Sequence, residues 1–241
     1  MNYAVSVSDF FKTPKWGMSL LFGALAMFIP VAGWMLIVGW VITGFWSRRE
    51  ESFETFPPFD FTRFDKYLTR GVWPVLITLV PAFALMAVMM VLMFLMVGLT
   101  TAVDAQSGGG AAVMTTTILV AILVTAALYF VMLVVIVPLT LRAGLMQAFV
   151  PAFDVNFMKR FLTLTWKEVV LSTLFVTAAT FLLQFAGMLA FCVGMYAVPV
   201  IMAFARMHLD KQLYAHYLAR GGEPIPISPK LLDEPPPLPV S

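Results

Sequence analysis

The sequence predicts an all-α fold: a polytopic integral-membrane helix bundle with about six membrane-embedded segments. Three observations predict it. The chain is 61% hydrophobic and 12% charged, with mean hydropathy +0.92, against about 25% charged residues in ordinary soluble domains. Its charges are clustered, leaving residues 16–47, 71–103, 105–141 and 169–205 without a single Asp, Glu, Lys or Arg. One charge at a bilayer centre costs about 2.5–3.5 kcal/mol on insertion scales, so runs this clean mark membrane-embedded chain. The third observation is a recurrence. Residues 56–69 return as 150–163, with Pro57 matching Pro151, Phe59 matching Phe153, Asp60 matching Asp154, Lys66 matching Arg160 and Leu68-Thr69 matching Leu162-Thr163.

The N-terminal residues carry Asp9, have no basic leader and show no clear cleavage site, so no removable signal peptide is expected. Residues 7–15 read as a short interfacial segment ending at Pro14-Lys15-Trp16. Trp16, Trp46, Trp73 and Trp166 all fall at run edges, where an amphipathic indole prefers the headgroup level.

The first run is too long for one neat crossing, which takes about 20 residues, and too short for two generous ones. Pro30 removes a helix hydrogen bond and Gly33 permits a turn, so a break over 29–33 is expected, with short arms forming a tilted or re-entrant hairpin. The charges argue for the same count. All 15 Lys and Arg lie before the first run, beside the two recurring motifs, or after the last run, while the Gly-rich connection at 104–110 has none. If the first and last runs each enter and return, every cation falls on one side, as cytoplasmic loops require. Both termini are then cytoplasmic. The last run is expected to turn between Ala186-Gly187 and Gly194. The alternative is one continuous helix, since Ala186, Ala190 and Gly194 form a small-residue ladder suited to close packing.

Each motif reads as a helix start. Asp60 and Asp154 are N-caps, whose carboxylates accept from unpaired first-turn amides, and Phe59 with Phe64, and Phe153 with Met158, are positioned as hydrophobic staples. The recurrence implies a duplicated unit of helix, capped interfacial helix and helix, over approximately 31–101 and 113–188. Arg63, Lys66 and Arg70 on the first capped helix, and Lys159 and Arg160 on the second, are candidate contacts for anionic lipid headgroups. The bland reading of these helices is a linker that aims the following span. Beyond the last run, Leu209, Leu213 and Tyr217 form one face of an amphipathic helix that Gly221-Gly222 stops. Residues 1–222 thus form a single membrane domain, and 223–241, with seven prolines, are expected to be a disordered cytoplasmic tail.

Few residues suggest chemistry. Gln184 is the one amide well inside a run and suits an interhelical hydrogen bond. His208, Gln212 and His216 share a helix face, but two imidazoles and an amide are a poor zinc set. The 17 methionines read as packing, the single Cys192 allows no intrachain disulfide, and no nucleophile grouping or phosphate loop appears. No catalytic residue, cofactor, metal or nucleic-acid partner is therefore expected. The partners are the lipid bilayer, with anionic lipids, and a membrane protein or a second copy of the chain.

Pro14-Lys15-Trp16, Ile29-Pro30 leading to Gly39-Trp40, Arg48-Arg49, and Pro58-Phe59-Asp60 leading to Gly71 together resemble a family of bacterial and archaeal polytopic membrane proteins classed as a domain of unknown function. The resemblance covers roughly residues 8–100 and continues through the hydrophobic profile. It implies several spans in a bacterial cytoplasmic membrane and brings no catalytic residues. These readings favour a non-catalytic scaffold or accessory membrane module with a basic cytoplasmic face. The alternative is a small transporter or lipid-handling protein using the broken first helix.

Overall fold

The computed structural model describes residues 1–48, 52–107, 110–189 and 194–232, the side chains of 104–113 excepted. Among them the order is α1 (Tyr3–Ser8), α2 (Trp16–Ala26), α3 (Ala32–Trp46), α4 (Phe64–Ser107), α5 (Gly110–Met146), α6 (Val155–Leu189) and α7 (Gly194–Ala219), with several short 3₁₀ turns and no strands. The expected helical bundle is what forms. Three stretches, Phe61–Val103, Met114–Met146 and Val155–Leu189, are long and apolar enough to cross a membrane. The helices α2 and α3 are apolar but have only 11 and 15 residues, about 17 and 22 Å at 1.5 Å per residue, and fall short of a bilayer core.

The break predicted at Pro30 is real. Helix α2 ends at Ala26, and Val31 takes φ +62°, a costly conformation for a β-branched residue, before α3 begins. Gly33 is obligatory there, because a Cβ would lie 2.1 Å from the Ala26 carbonyl oxygen. The last run also turns. Helices α6 and α7 run antiparallel, Gly187 and Gly194 pack backbone to backbone, and Phe157 and Phe161 at one end of the pair meet Tyr217. Gly187 and Gly194 therefore pack a hairpin instead of lying along one helix; Ala190 and Cys192 lie outside the described residues.

The capped segments depart from expectation in form. Residues 61–63 are one 3₁₀ turn, and the chain runs directly into the 44-residue α4, so no separate interfacial helix precedes the span. The second capped segment likewise continues into α6, bent at Thr165, whose φ −131° and ψ 19° leave the helical range.

The chain divides into two compact units. Residues Met1–Ile77 with Val137–Ser241 form one, and Thr78–Ile136 the other. The second comprises the distal part of α4 and the first part of α5, and its large apolar side chains, among them Phe83, Phe94, Leu119 and Leu123, are exposed. The first unit holds an aromatic core in which Phe10, Leu36, Ile37, Trp40, Phe56, Tyr67, Val200 and Phe204 are fully buried. Its tightest point is the approach of α3 to α4. A Cβ on Gly39 would stand 1.8 Å from the Tyr67 carbonyl oxygen, and one on Gly71 would stand 1.8 Å from that of Met35. Only glycines let the two backbones meet.

The segment after α7 corrects another expectation. Gly221 takes φ +82° and ends the helix, as read from sequence, but residues 223–232 then fold back on the bundle. Glu223 N donates to the Tyr217 hydroxyl at 3.1 Å, Ile225 N to that of Tyr214 at 2.7 Å, and Ser228 N to the Leu145 carbonyl at 2.8 Å. Ile225 and Leu231 are buried. Proline composition suggests mobility, but two apolar anchors and these backbone hydrogen bonds hold the stretch. Residues 233–241 lie outside those described.

Candidate functional site

The two motifs are built into the first unit in related ways. In the first, Trp40 Nε1 donates to the Pro57 carbonyl at 2.8 Å, Phe59 N donates to Ser19 Oγ at 3.0 Å, and the Tyr67 hydroxyl reaches the Pro58 carbonyl at 3.5 Å. The Phe59 ring packs on Trp40, Phe61 and Tyr67. Asp60 caps as predicted, accepting from Thr62 N at 2.9 Å and Thr62 Oγ1 at 2.7 Å. Those bonds, first from the hydroxyl and then from the amide, hold its carboxyl below the usual range.

In the second motif Asp154 accepts from Asn156 N at 3.0 Å and Phe157 N at 3.1 Å, and pairs with Arg142 at 2.9 Å. Arg142 Nε also donates to the Pro151 carbonyl at 2.7 Å, and its guanidinium lies 4.8 Å above the Phe157 ring. Phe153 packs on Phe149 and Phe161 on Tyr217. Arg48 does similar work for the first loop: it donates to Gly44, Ser52 and Thr55 and sits 5.0 Å over the Phe56 ring. Sequence reasoning gives neither arginine this role, although Arg48 and Arg142 share the spacing that relates Pro57 to Pro151.

The five candidate lipid-contacting cations divide. Arg63 and Lys159 are exposed, and Lys66 is half-buried. Arg160 is also exposed but pairs with Glu223 and donates to the Gly221 carbonyl at 2.8 Å. Arg70 is 4% exposed. Its Nη1 donates to Thr43 Oγ1 at 3.0 Å and its Nη2 to the carbonyls of Lys230 and Leu231 at 2.9 and 3.2 Å. Gln147 Nε2 in turn donates to the Arg70 carbonyl at 3.1 Å. Arg70 therefore clamps the C-terminal segment to α3 and α4, turned away from the surface where a headgroup would be met.

A second polar cluster lies where α1 and the 3₁₀ turn Asp9–Lys12 pack on α7. Buried Asp9 pairs with Lys12 at 2.7 Å and lies 3.7 Å from His208 Nδ1, while the imidazole stacks on Phe45. Burial lowers the His208 pKa, against the opposing pull of Asp9. One turn on, Asp210 pairs with Arg206 at 3.0 Å, and burial raises its carboxyl above the ordinary range. Asn2 N donates to Gln212 Oε1 at 2.8 Å beside an open groove of about 340 Å³ that His216 also lines. The histidine face read from sequence is thus divided between core and groove. Among the described residues no three His, Cys, Asp or Glu side chains are placed to share a metal. Gln184 Nε2 reaches the Met195 carbonyl at 3.4 Å, across the α6–α7 pair.

The model of a family described as "Protein of unknown function (DUF4013)" matches residues 22–192. No curated protein and no solved structure matches the chain.

Proposed function

The chain belongs to the DUF4013 family, and from that premise we propose that it is a non-catalytic scaffold or accessory module of a bacterial cytoplasmic membrane. One observation carries the reading: the polar side chains that the fold gathers are engaged in holding chain segments together. Arg70 holds the C-terminal segment, Asp9 and His208 the N-terminal one, and Arg48 and Arg142 the two motif loops. Arg63 and Lys159, on the capped turns, remain outward.

In this reading the duplicated units place both motif loops and both termini on the cytoplasmic side. Arg63, Lys66, Lys159 and Arg160 form a basic face toward anionic headgroups, each worth about 1 kcal/mol near the surface. A membrane protein or a second copy of the chain covers part of the apolar surface. The test is crosslinking of the protein in native membranes, with thermal denaturation of the purified protein against a panel of small solutes. A specific crosslinked partner supports the scaffold. Solute-dependent stabilisation without any partner supports the small transporter instead.

A further inference from the structure

In the first unit two helix pairs, α2–α3 and α6–α7, have their ends in one place. Phe28, in the turn after α2, stacks on Tyr196 near the start of α7 with ring centroids 4.3 Å apart. Gly23 of α2 packs so closely on Val200 that a Cβ would come within 2.9 Å of its Cγ1. Away from these tips, the same elements meet a belt of charged and polar groups. Phe204 is surrounded by Phe10, Phe45, Phe53 and Phe56, and the next turn of α7 carries Arg206, His208 and Asp210. The 3₁₀ turn after α1 brings Asp9 and Lys12 to that belt, and Tyr3 of α1 packs on Phe175 of α6 at 5.5 Å, which fixes the belt's level on α6.

From this belt to the tips the four arms are alike in reach. They are α2 (Trp16–Ala26), α3 (Ala32–Trp46), α6 from Phe175 to Leu189, and α7 from Gly194 to Ala205. At 1.5 Å per residue each extends about 17–22 Å, against a hydrocarbon core of about 30 Å. Large apolar side chains are exposed along α2, at Met18, Leu21 and Leu25, and at the tips, at Phe28, Val31, Phe185 and Leu189. A crossing of α6–α7 would require the belt, with the Arg206–Asp210 pair and buried Asp9, to lie well inside the hydrocarbon, where charges are expensive.

We propose that α6–α7, like α2–α3, is a re-entrant hairpin, and that the two pairs form one wedge entering the membrane from the face that carries Lys12, Lys15 and Arg48. Its occupant surface is the acyl chains of a single leaflet and the start of the next, and its tip at Phe28, Leu189 and Tyr196 lies within the hydrocarbon. This deepens the membrane reading by assigning α6, whose length alone would allow a crossing, to a half-depth insertion.

The full-length protein in vesicles of phosphatidylcholine and phosphatidylglycerol tests it, with single nitroxides on cysteines replacing Leu174, Phe181, Phe185 or Leu189 in a Cys192→Ser background. These α6 positions are exposed, so the label disturbs no packing. Collision rates with oxygen and with a water-soluble nickel chelate give depth. The wedge predicts that depth increases at every step from 174 to 189. A second series at Phe83, Met90, Phe94 and Leu99 on α4 provides the crossing pattern, rising and then falling. A fall in depth between 181 and 189, or uniformly shallow labels, overturns the wedge, and neither result bears on whether a partner is crosslinked.

Discussion

Arg70, in the first turns of α4, donates both to Thr43 of α3 and to the main-chain carbonyls of Lys230 and Leu231, so one buried guanidinium joins three parts of the chain far apart in sequence. The segment it holds has no helix or sheet ladder of its own beyond a 3₁₀ turn at Pro229–Leu231. Replacing Arg70 by Ala leaves Thr43 and the two carbonyls without this donor. The expected loss is about 1.5–3 kcal/mol for the charge-assisted bonds, read as faster trypsin cleavage after Lys230 and Arg220 and a lower Tm. Arg70→Lys restores one point charge without the fork and should recover only part of the protection.

Glycine substitutions separate close packing from helix propensity. Gly39→Ala or Gly71→Ala drives a Cβ into a backbone carbonyl that cannot yield. Either should cost about 4 kcal/mol or more, among the largest single-residue effects, and show as loss of folded yield in detergent. Gly17→Ala and Gly98→Ala meet nothing within 4 Å. They should be neutral or stabilise by about 0.5–1 kcal/mol, the helix-propensity difference. Size-exclusion and thermal melts of the four variants make the comparison.

The caps should differ in weight. Asp60→Ala removes a cap whose carboxylate is held by Thr62 alone, and should lower stability modestly. Asp154→Ala removes a cap and the partner of Arg142, whose side chain is 16% exposed, and should cost more. Asp60→Asn, which keeps the acceptor, should lie close to the parent in a thermal melt.

His208 makes the N-terminal packing sensitive to acid. Its pKa is lowered in the folded protein from about 6.5, by burial against Phe45 and with Lys211 and Lys12 nearby, while Asp9 and the Ser6 backbone pull the other way. The unfolded chain therefore binds a proton more readily than the folded one. The stability from neutral His208 is fully present above pH 6.5 and is lost as pH falls through the lower folded value. Protection factors of residues 3–12, referred to the intrinsic exchange rate at each pH, should fall on acidification below pH 6.5, and His208→Gln should flatten that dependence.

Much of this organisation is legible in sequence where the signal is local. The charge-free runs, the break at Pro30, the caps at Asp60 and Asp154, and the buried face of Leu209, Leu213 and Tyr217 each depend on spacing within one element. The approach of Gly39 to Gly71 is not legible in that way, because helical spacing identifies a face and not the helix it meets. Arg70 was read as a surface cation because it follows Arg63 and Lys66, yet position 70 is where α3 and α4 touch. The C-terminal segment misleads for a related reason: its prolines exclude a helix, but Ile225 and Leu231 supply enough apolar surface to dock an extended chain. His208 is ambiguous until the 3₁₀ turn after α1 is seen to bring Asp9 against it.

The proposed topology puts both chain ends and both motif loops on one face of the membrane and the Gly-rich connection at 104–110 on the other. Single cysteines at Val5, Thr55, Ser107, Asn156 and Ile227 in a Cys192→Ser background, labelled with a membrane-impermeant maleimide on intact spheroplasts and on inverted vesicles, measure this directly. Position 107 should label on spheroplasts, and the other four on inverted vesicles alone. Labelling of position 5 or 227 on intact spheroplasts would contradict it.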